Sequence, residues 1–399
     1  MLAPLLLSGV IVVAETPGFG VDYISIQDAV HFANDGDIVL VRSGTYVGDV
    51  SAPVGGKNVV IVADGPTAPY SILGLWTFHT QQPSQTLVVR GLDLAGLYAP
   101  LPNSNTTLQV SQGNVLVEDC TIYGAQSSVR ADASGWLALT RSGAYASSGA
   151  GPGPISAIGT GLETAPGASS LATLHSSYVS GGGGLFNDTG VLEYGIDARE
   201  AVNWTGKLIA SHASIQGGIG MGSKLATSGG CIASAPGSAL LLNGTAHLAA
   251  TTVVAGAFWA QLDGCPLPPV PPASIGGTTV VHAGTAPLLS SSRVTREGQL
   301  LTATLDAASG EYGVLLVATS VQRVELDAYV GVLVNPAASV VPLGFVGGSG
   351  SLSKSAVVQE LGAGVEGAAV YLQGASVDPA TLSVRLSNVS VATLLDAGL

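Results

Sequence analysis

"YISIQDAVHFANDGDIVLVRSGTYVGDV" (residues 23–50) sets a short amphipathic helix directly before a turn and a fully apolar strand. Ser25 is a good N-cap, and Asp28 three residues later can complete a capping box. Ile26, Ala29, Val30 and Ala33 recur at i, i+3, i+4 and i+7, which gives the helix one apolar face. A face of about two turns is too short to be stable alone, so it must lie on other structure. NDGD then ends the helix with residues that tolerate left-handed backbone, and IVLV reads as a buried strand. SGTY turns the chain again. A short helix laid over the first coil of a larger β structure accounts for this order.

The rest of the 399-residue chain has the material for such a structure. Hydrophobic residues make up 47% and charged residues only 10%, with 55 glycines, a balance that suits short strands and tight turns. A formal net charge of −13 leaves no basic face for phosphates and argues against nucleic acid or anionic membrane as partner. No stretch reaches the roughly 18 uninterrupted apolar residues that span a bilayer. Residues 1–14, MLAPLLLSGVIVVA, read as a secretory signal segment without a basic start, or, from VIVVA on, as the first strand of the fold. Cys120 sits in a strand pattern and reads as a buried thiol. Cys231 and Cys265, 34 residues apart, read either as a disulfide between neighbouring repeats or as two free thiols.

The repeats are "VLVEDCTI" (115–122), "LALTRSGA" (137–144), "LATLHSSY" (171–178) and "LIASHASI" (208–215), with an earlier copy at 87–94 and a poorer one at 241–248. Aligned without gaps, their matching points Asp119, Arg141, His175 and His212 are 22, 34 and 37 residues apart. This places Val115, Leu137, Leu171 and Leu208 in one aliphatic column. Cys120, Ser142, Ser176 and Ala213 form a small-residue column, and Ile122, Ala144, Tyr178 and Ile215 a third. Like residues recurring at an irregular period indicate stacked strand coils at about 4.8 Å per layer, with length differences absorbed in loops. The Gly/Asp/Arg/His points fall between two strand halves. They are expected at an outward-facing corner.

With these features the chain resembles secreted right-handed parallel β-helix proteins of the pectin-lyase-like superfamily. The resemblance rests on Tyr23, Ile24, Ile26, Ala29, Ala33, Gly36, Asp37, Val41, Gly44, Thr45 and Tyr46, and fades towards residue 286. It implies an all-β fold: a parallel β-helix over 15–286 whose N-terminal helix caps the first coil and shields its edge. From 287 to 399 the strands QLLTATLDA, YGVLLVATS and VELDAYVGVLV, with the closing run from AAVYLQG, are separated by Gly, Pro, Asn and Asp turns and read as a small β-sandwich. That ending is similar to all-β modules of exported bacterial proteins, which implies secretion or the cell surface. It is read as a cap for the coil's far end, an anchor or an export element. The Pro-rich CPLPPVPP (265–272) reads as a loop of the last coil, because TTVVHAG after it still has strand character.

The resemblance is weak for function, since this fold carries lyases, hydrolases, adhesins and spacers alike. The family's lyases abstract a proton beside a uronate carboxylate with a tuned base and Ca²⁺ held by carboxylates, and its hydrolases use Asp clusters. The outward corner offers Arg141, His175 and His212 as candidate catalytic groups, with Glu118 beside them. Asp119, Tyr194, Arg199 and Trp204 are candidate substrate contacts. The polar stretch 186–207 stands out from a nearly uncharged coil, and its Asp188, Glu193 and Asp197 are candidate Ca²⁺ ligands. Each group has a plainer reading: Asp and similar residues suit left-handed corners, and the polar stretch is a solvated loop. GGIGMGSK (217–224) is faintly similar to a polygalacturonase strand motif but lacks its His, and no Asp–Asp pair accompanies it. No resident cofactor is expected beyond Ca²⁺ in the lyase reading, and no residue pattern speaks to oligomeric state. The expectation is an exported, non-catalytic β-helix protein that binds a polysaccharide or cell-surface glycan or builds structure. The alternative is a diverged lyase or glycoside hydrolase acting on acidic polysaccharide.

Overall fold

The computed structural model describes residues 8–52, 57–65, 70–79, 82, 84–95, 106–124, 127–132, 135–146, 160–188, 193–261, 264–284, 286–325 and 332–399. A parallel β-helix with three strand faces dominates it. On the first face the strands Val10–Val13, Ile38–Val41, Val59–Ala63, Thr86–Arg90, Thr106–Glu118, Gly135–Thr140, Ser170–His175, Val202–Ser211, Leu240–Ala249 and Thr278–His282 pair in that order, all parallel. The second face runs in parallel from Gly44–Val47 to Thr252–Val254. The third runs from Val50–Ala52 to Ser274–Ile275. Three strands, Thr106–Glu118, Val202–Ser211 and Leu240–Ala249, are long enough to continue from the third face into the first.

Alternation within each strand sends every second side chain inward, where like residues stack along the coil axis. Val115, Leu137, Ala172, Leu208 and Ala246 are register partners and share the interior core. One copy therefore differs from its sequence alignment. Leu171 pairs with Trp136 and Lys207 and faces out of the coil, while Ala172 and Leu174 face in. The columns are Cys120–Ser142–Ser177–Ala213 and Ile122–Ala144–Val179–Ile215, so Ser176 and Tyr178 are also displaced from their expected places. The cause is the side-chain period of two: a slip of one residue inverts every position of a strand. "SLATLHSSYV" offers Leu and Ser in both registers, so only its neighbours decide between them.

Helix Ile26–Phe32 follows Ser25, whose hydroxyl accepts the Asp28 N–H at 3.3 Å. Its Ile26, Ala29 and Val30 are buried in the interior core beside Val13 and Val39. Val10–Val13, part of the stretch with two readings, is a strand of the first face; residues 1–7 lie outside the described residues.

After Thr278–His282 the pairing becomes largely antiparallel. Leu288–Ser291, Leu300–Asp306 and Ser351–Val357 form a three-stranded sheet. Val294–Arg296, Val384–Leu395, Gly367–Val377, Tyr312–Ala318 and Ser339–Phe345 form a five-stranded one. Leu289, Leu305, Leu315, Leu372 and Ala392 pack in one cluster that both sheets share. The five-stranded sheet turns Tyr371, Val389, Val391 and Leu395 onto outward residues of the coil's first face, among them Leu40, Val62, Val88, Leu116, Trp136, Leu171 and Ile209. The C-terminal sheets thus lie along the coil's flank and not over its far end. Leu171 faces outward because an apolar surface waits for it there.

Candidate functional site

The corner between the first and second faces holds Gly91, Asp119, Arg141, Ser176, His212 and Ala250, with φ of 79°, 54°, 46°, 50°, 51° and 47°. These are left-handed positions, costly for most L-residues and natural for Gly and Asp. The corner reading therefore holds for Asp119, Arg141 and His212. In the third repeat the corner residue is Ser176, and His175 sits one position earlier, in register with Thr140 and Ser211.

The corner is roofed. Arg90 and Glu118 are 1% and 3% exposed, and Asp119 and Arg141 are 23% and 21% exposed. Arg90 Nε lies 3.2 Å from both Glu118 Oε2 and Asp119 Oδ2. Arg141 Nε donates to Asp119 Oδ1 at 2.7 Å, and its Nη2 donates to Glu118. Two cations and two anions make a neutral quartet. Its remaining valences go to the C-terminal sheets. Arg90 donates to the carbonyls of Ser291 (2.8 Å), Ser292 (3.1 Å) and Val391, and Arg141 to that of Leu289 (2.9 Å). Glu118 accepts the Val391 N–H at 3.0 Å and the Ser390 hydroxyl. Along the same flank Arg293 reaches the Gly65 carbonyl at 2.9 Å and Arg296 pairs with Asp64 at 2.8 Å. A Cβ on Gly91 would stand 2.3 Å from the Arg293 guanidinium, so the glycine serves both the backbone turn and this docking.

Electrostatics follow from that packing. Burial alone would raise the Asp119 pKa, but hydrogen bonds and charge from Arg141, and then Arg90, hold it below the usual carboxylate range. His175 is buried, shares a 2.6 Å hydrogen bond between Nδ1 and Ser211 Oγ, and has its pKa lowered to about 4 by burial and, less, by His212. His212 Nε2 meets the Ala286 carbonyl at 2.6 Å. Burial pushes the Cys120 thiol up to about 12. The candidate catalytic groups therefore share one flank, and each makes at least one polar contact within the fold.

The other candidates scatter. Trp204 is fully buried in the coil, donating from Nε1 to the Ser170 carbonyl at 3.0 Å; it is a core residue and not a sugar platform. Asp197 is exposed and accepts the Ala235 N–H at 2.7 Å, which fixes a loop. Arg199 is exposed. Tyr194, Glu193 and Asp188 lie on the antiparallel pair Leu185–Asp188 and Glu193–Ile196, with side chains outside the described residues. Among the described residues no group of three or more His, Cys, Asp or Glu has metal-binding geometry. Cys231 and Cys265 form a disulfide.

A second constellation escaped the sequence reading. Tyr123, Tyr145 and Tyr178 stack along the outer surface of the second face, with ring centroids 5.2 Å apart at each step. Tyr123 and Tyr145 are register partners, and Tyr178 lies opposite Gly143. A Cβ on Gly143 would stand 2.3 Å from the Tyr145 ring, so the glycine lets that ring lie against its own strand. The Tyr178 hydroxyl donates to Gln216 Oε1 at 2.9 Å. Among the described residues the stack ends at Tyr123, which is 52% exposed and whose partner on the preceding rung is Ala95. A cleft of about 410 Å³ runs from Asp119 and Arg141 past Thr121 and Gly143 to Tyr145 and Tyr178. The available signal was a Tyr directly after the third inward column in two copies. The slipped register hid its continuation at Tyr178.

No family model and no curated protein sequence matches the chain. Among solved structures the chain is similar to the Escherichia coli protein YbhC, at 12% identity and a TM-score of 0.32 over 70% of this chain and 87% of that one. No helix among the described residues is long and apolar enough to cross a membrane.

Proposed function

We propose that this chain is an exported, non-catalytic β-helix protein that holds a neutral glycan along its tyrosine ladder. The observation that carries the reading is the Tyr123–Tyr145–Tyr178 stack, exposed at Tyr123 and half-buried at Tyr145 and Tyr178, beside an open cleft. Aromatic rings offer apolar faces and edges to sugar C–H groups, while phenol hydroxyls bond to sugar hydroxyls. Tyr123 ends the stack beside small Ala95, with exposed Asp93 two residues away on the same strand, so its ring is the most exposed of the three. The nearest cations, Arg90 and Arg141, are already neutralised by Glu118 and Asp119, which favours a neutral sugar over a uronate. The lyase or hydrolase alternative has less support, because abstraction beside a carboxylate needs a free cation and a base within reach.

The finer architecture belongs to the same proposal. The coil is right-handed, as parallel crossovers nearly always are. Helix Ile26–Phe32 caps its first rungs, and the C-terminal sheets form a β-sandwich module. The overall plan is pectin-lyase-like. The Cys231–Cys265 disulfide supports an oxidising, extracellular or cell-surface location.

Affinity electrophoresis against neutral and acidic polysaccharides, with a parallel assay for unsaturated products, tests the reading. Retardation is expected on a neutral glycan and should be lost in Tyr123→Ala and Tyr145→Ala, with no product formed. Cleavage of a uronate polymer that disappears in Arg141→Ala would overturn it.

A further inference from the structure

The coil is closed at one end and open at the other. At the closed end the free edge of Val10–Val13 is occupied. The Asp22 and Tyr23 N–H groups donate to the Val12 carbonyl at 2.9 and 3.3 Å, Val12 N–H to Asp22 Oδ2 at 2.7 Å, and Val10 N–H to Glu366 Oε2 at 3.0 Å. Ile26, Ala29 and Val30 of the helix complete the interior there.

At the far end nothing comparable is present among the described residues. Thr278–His282 pairs only with Leu240–Ala249, Ser274–Ile275 only with the same strand, and Thr252–Val254 only with Ser214–Gln216. The inward column Val89, Val117, Leu139, Leu174, Ala210, Leu248 is at most 5% exposed, and its next member, Val281, is 76% exposed. Val281 is an interior residue with no layer above it. Val254 and Ile275, 49% and 40% exposed, lie on the outer side of the last second-face and third-face strands. Residues 264–284 contain no Asp, Glu, Lys or Arg, so the usual charges that keep an edge solvated are missing. The Cys231–Cys265 disulfide ties the Pro-rich segment beside this end to the rung before it.

We infer that two copies of this chain join end to end through this open rung about a two-fold axis. An unpaired edge recruits an extended strand, and an exposed core cross-section needs an apolar surface. A second copy supplies both. The closed N-terminal end rules out head-to-tail stacking, which leaves the isologous arrangement. On a two-fold perpendicular to the coil axis, Thr278–His282 pairs antiparallel with its own copy. Thr252–Val254 then meets the copy's Ser274–Ile275, and the two Val281 columns close one continuous core.

Sedimentation over a dilution series, with hydrogen exchange of residues 278–282, tests this. The unaltered chain should be dimeric, with the 278–282 amides losing protection on dilution. Val281→Lys and Ile275→Lys, both at exposed positions, should each weaken the dimer by about tenfold or more with unchanged melting of the monomer. Val340→Lys, on the exposed C-terminal edge strand, should leave it intact. A monomer at every concentration, a dimer that survives both rung variants, or one lost equally in Val340→Lys would overturn the inference.

Discussion

At the scale of single residues, His175 shows how one position decides between chemistry and structure. A corner imidazole keeps partial exposure, as His212 does. One residue earlier it is buried against Ser211, and burial lowers its pKa to about 4. An unfolded chain protonates this imidazole near its ordinary value of about 6.5, the folded protein only near the lowered one. Between those values the unfolded state binds more protons, so stability falls as pH drops through that window. Thermal melting from pH 7 to pH 4 should show this loss, and His175→Gln should make it shallower. Equal slopes in the two proteins would contradict the burial argument. Asp119, held below the usual carboxylate range, adds its own loss at still lower pH.

At the scale of elements, helix Ile26–Phe32 is stable only through what it covers. Ala29 is fully buried against the first rungs. Ala29→Asp would bury an unpaired charge there, at a cost of roughly a few kcal/mol. Thermal unfolding followed with hydrogen exchange should show the loss in Ile38–Val41 and Val59–Ala63; melting identical to the parent would refute the role of the helix. This element was legible in sequence because Ser25, the apolar spacing and NDGD all point the same way. The stacked coil was legible too, since matching columns recur along it. The third repeat was not, because Leu171 and Ala172 both suit an inward column and only the flanking C-terminal sheet gives Leu171 an outward partner. Trp204 misled for a related reason. It stands in a polar stretch, yet it lies on a strand that carries it into the core.

At the scale of the whole molecule, the corner charges hold the C-terminal sheets to the coil. Sequence pattern marked Asp119 and Arg141 as special but gave no sign of Arg90 as their partner, nor of Leu289, Ser291 and Val391 as the roof. Those contacts span 148 to 301 residues of chain, and no local pattern encodes them. The quartet is mostly dry, so removing one member leaves a buried charge uncompensated, at roughly 3–5 kcal/mol. Hydrogen exchange on Glu118→Ala is the most direct test that this corner is a clamp. The account predicts lost protection in Leu288–Ser291 and Val384–Leu395, with Val202–Ser211 unchanged. Protection of the C-terminal strands equal to that of the unaltered protein would contradict it.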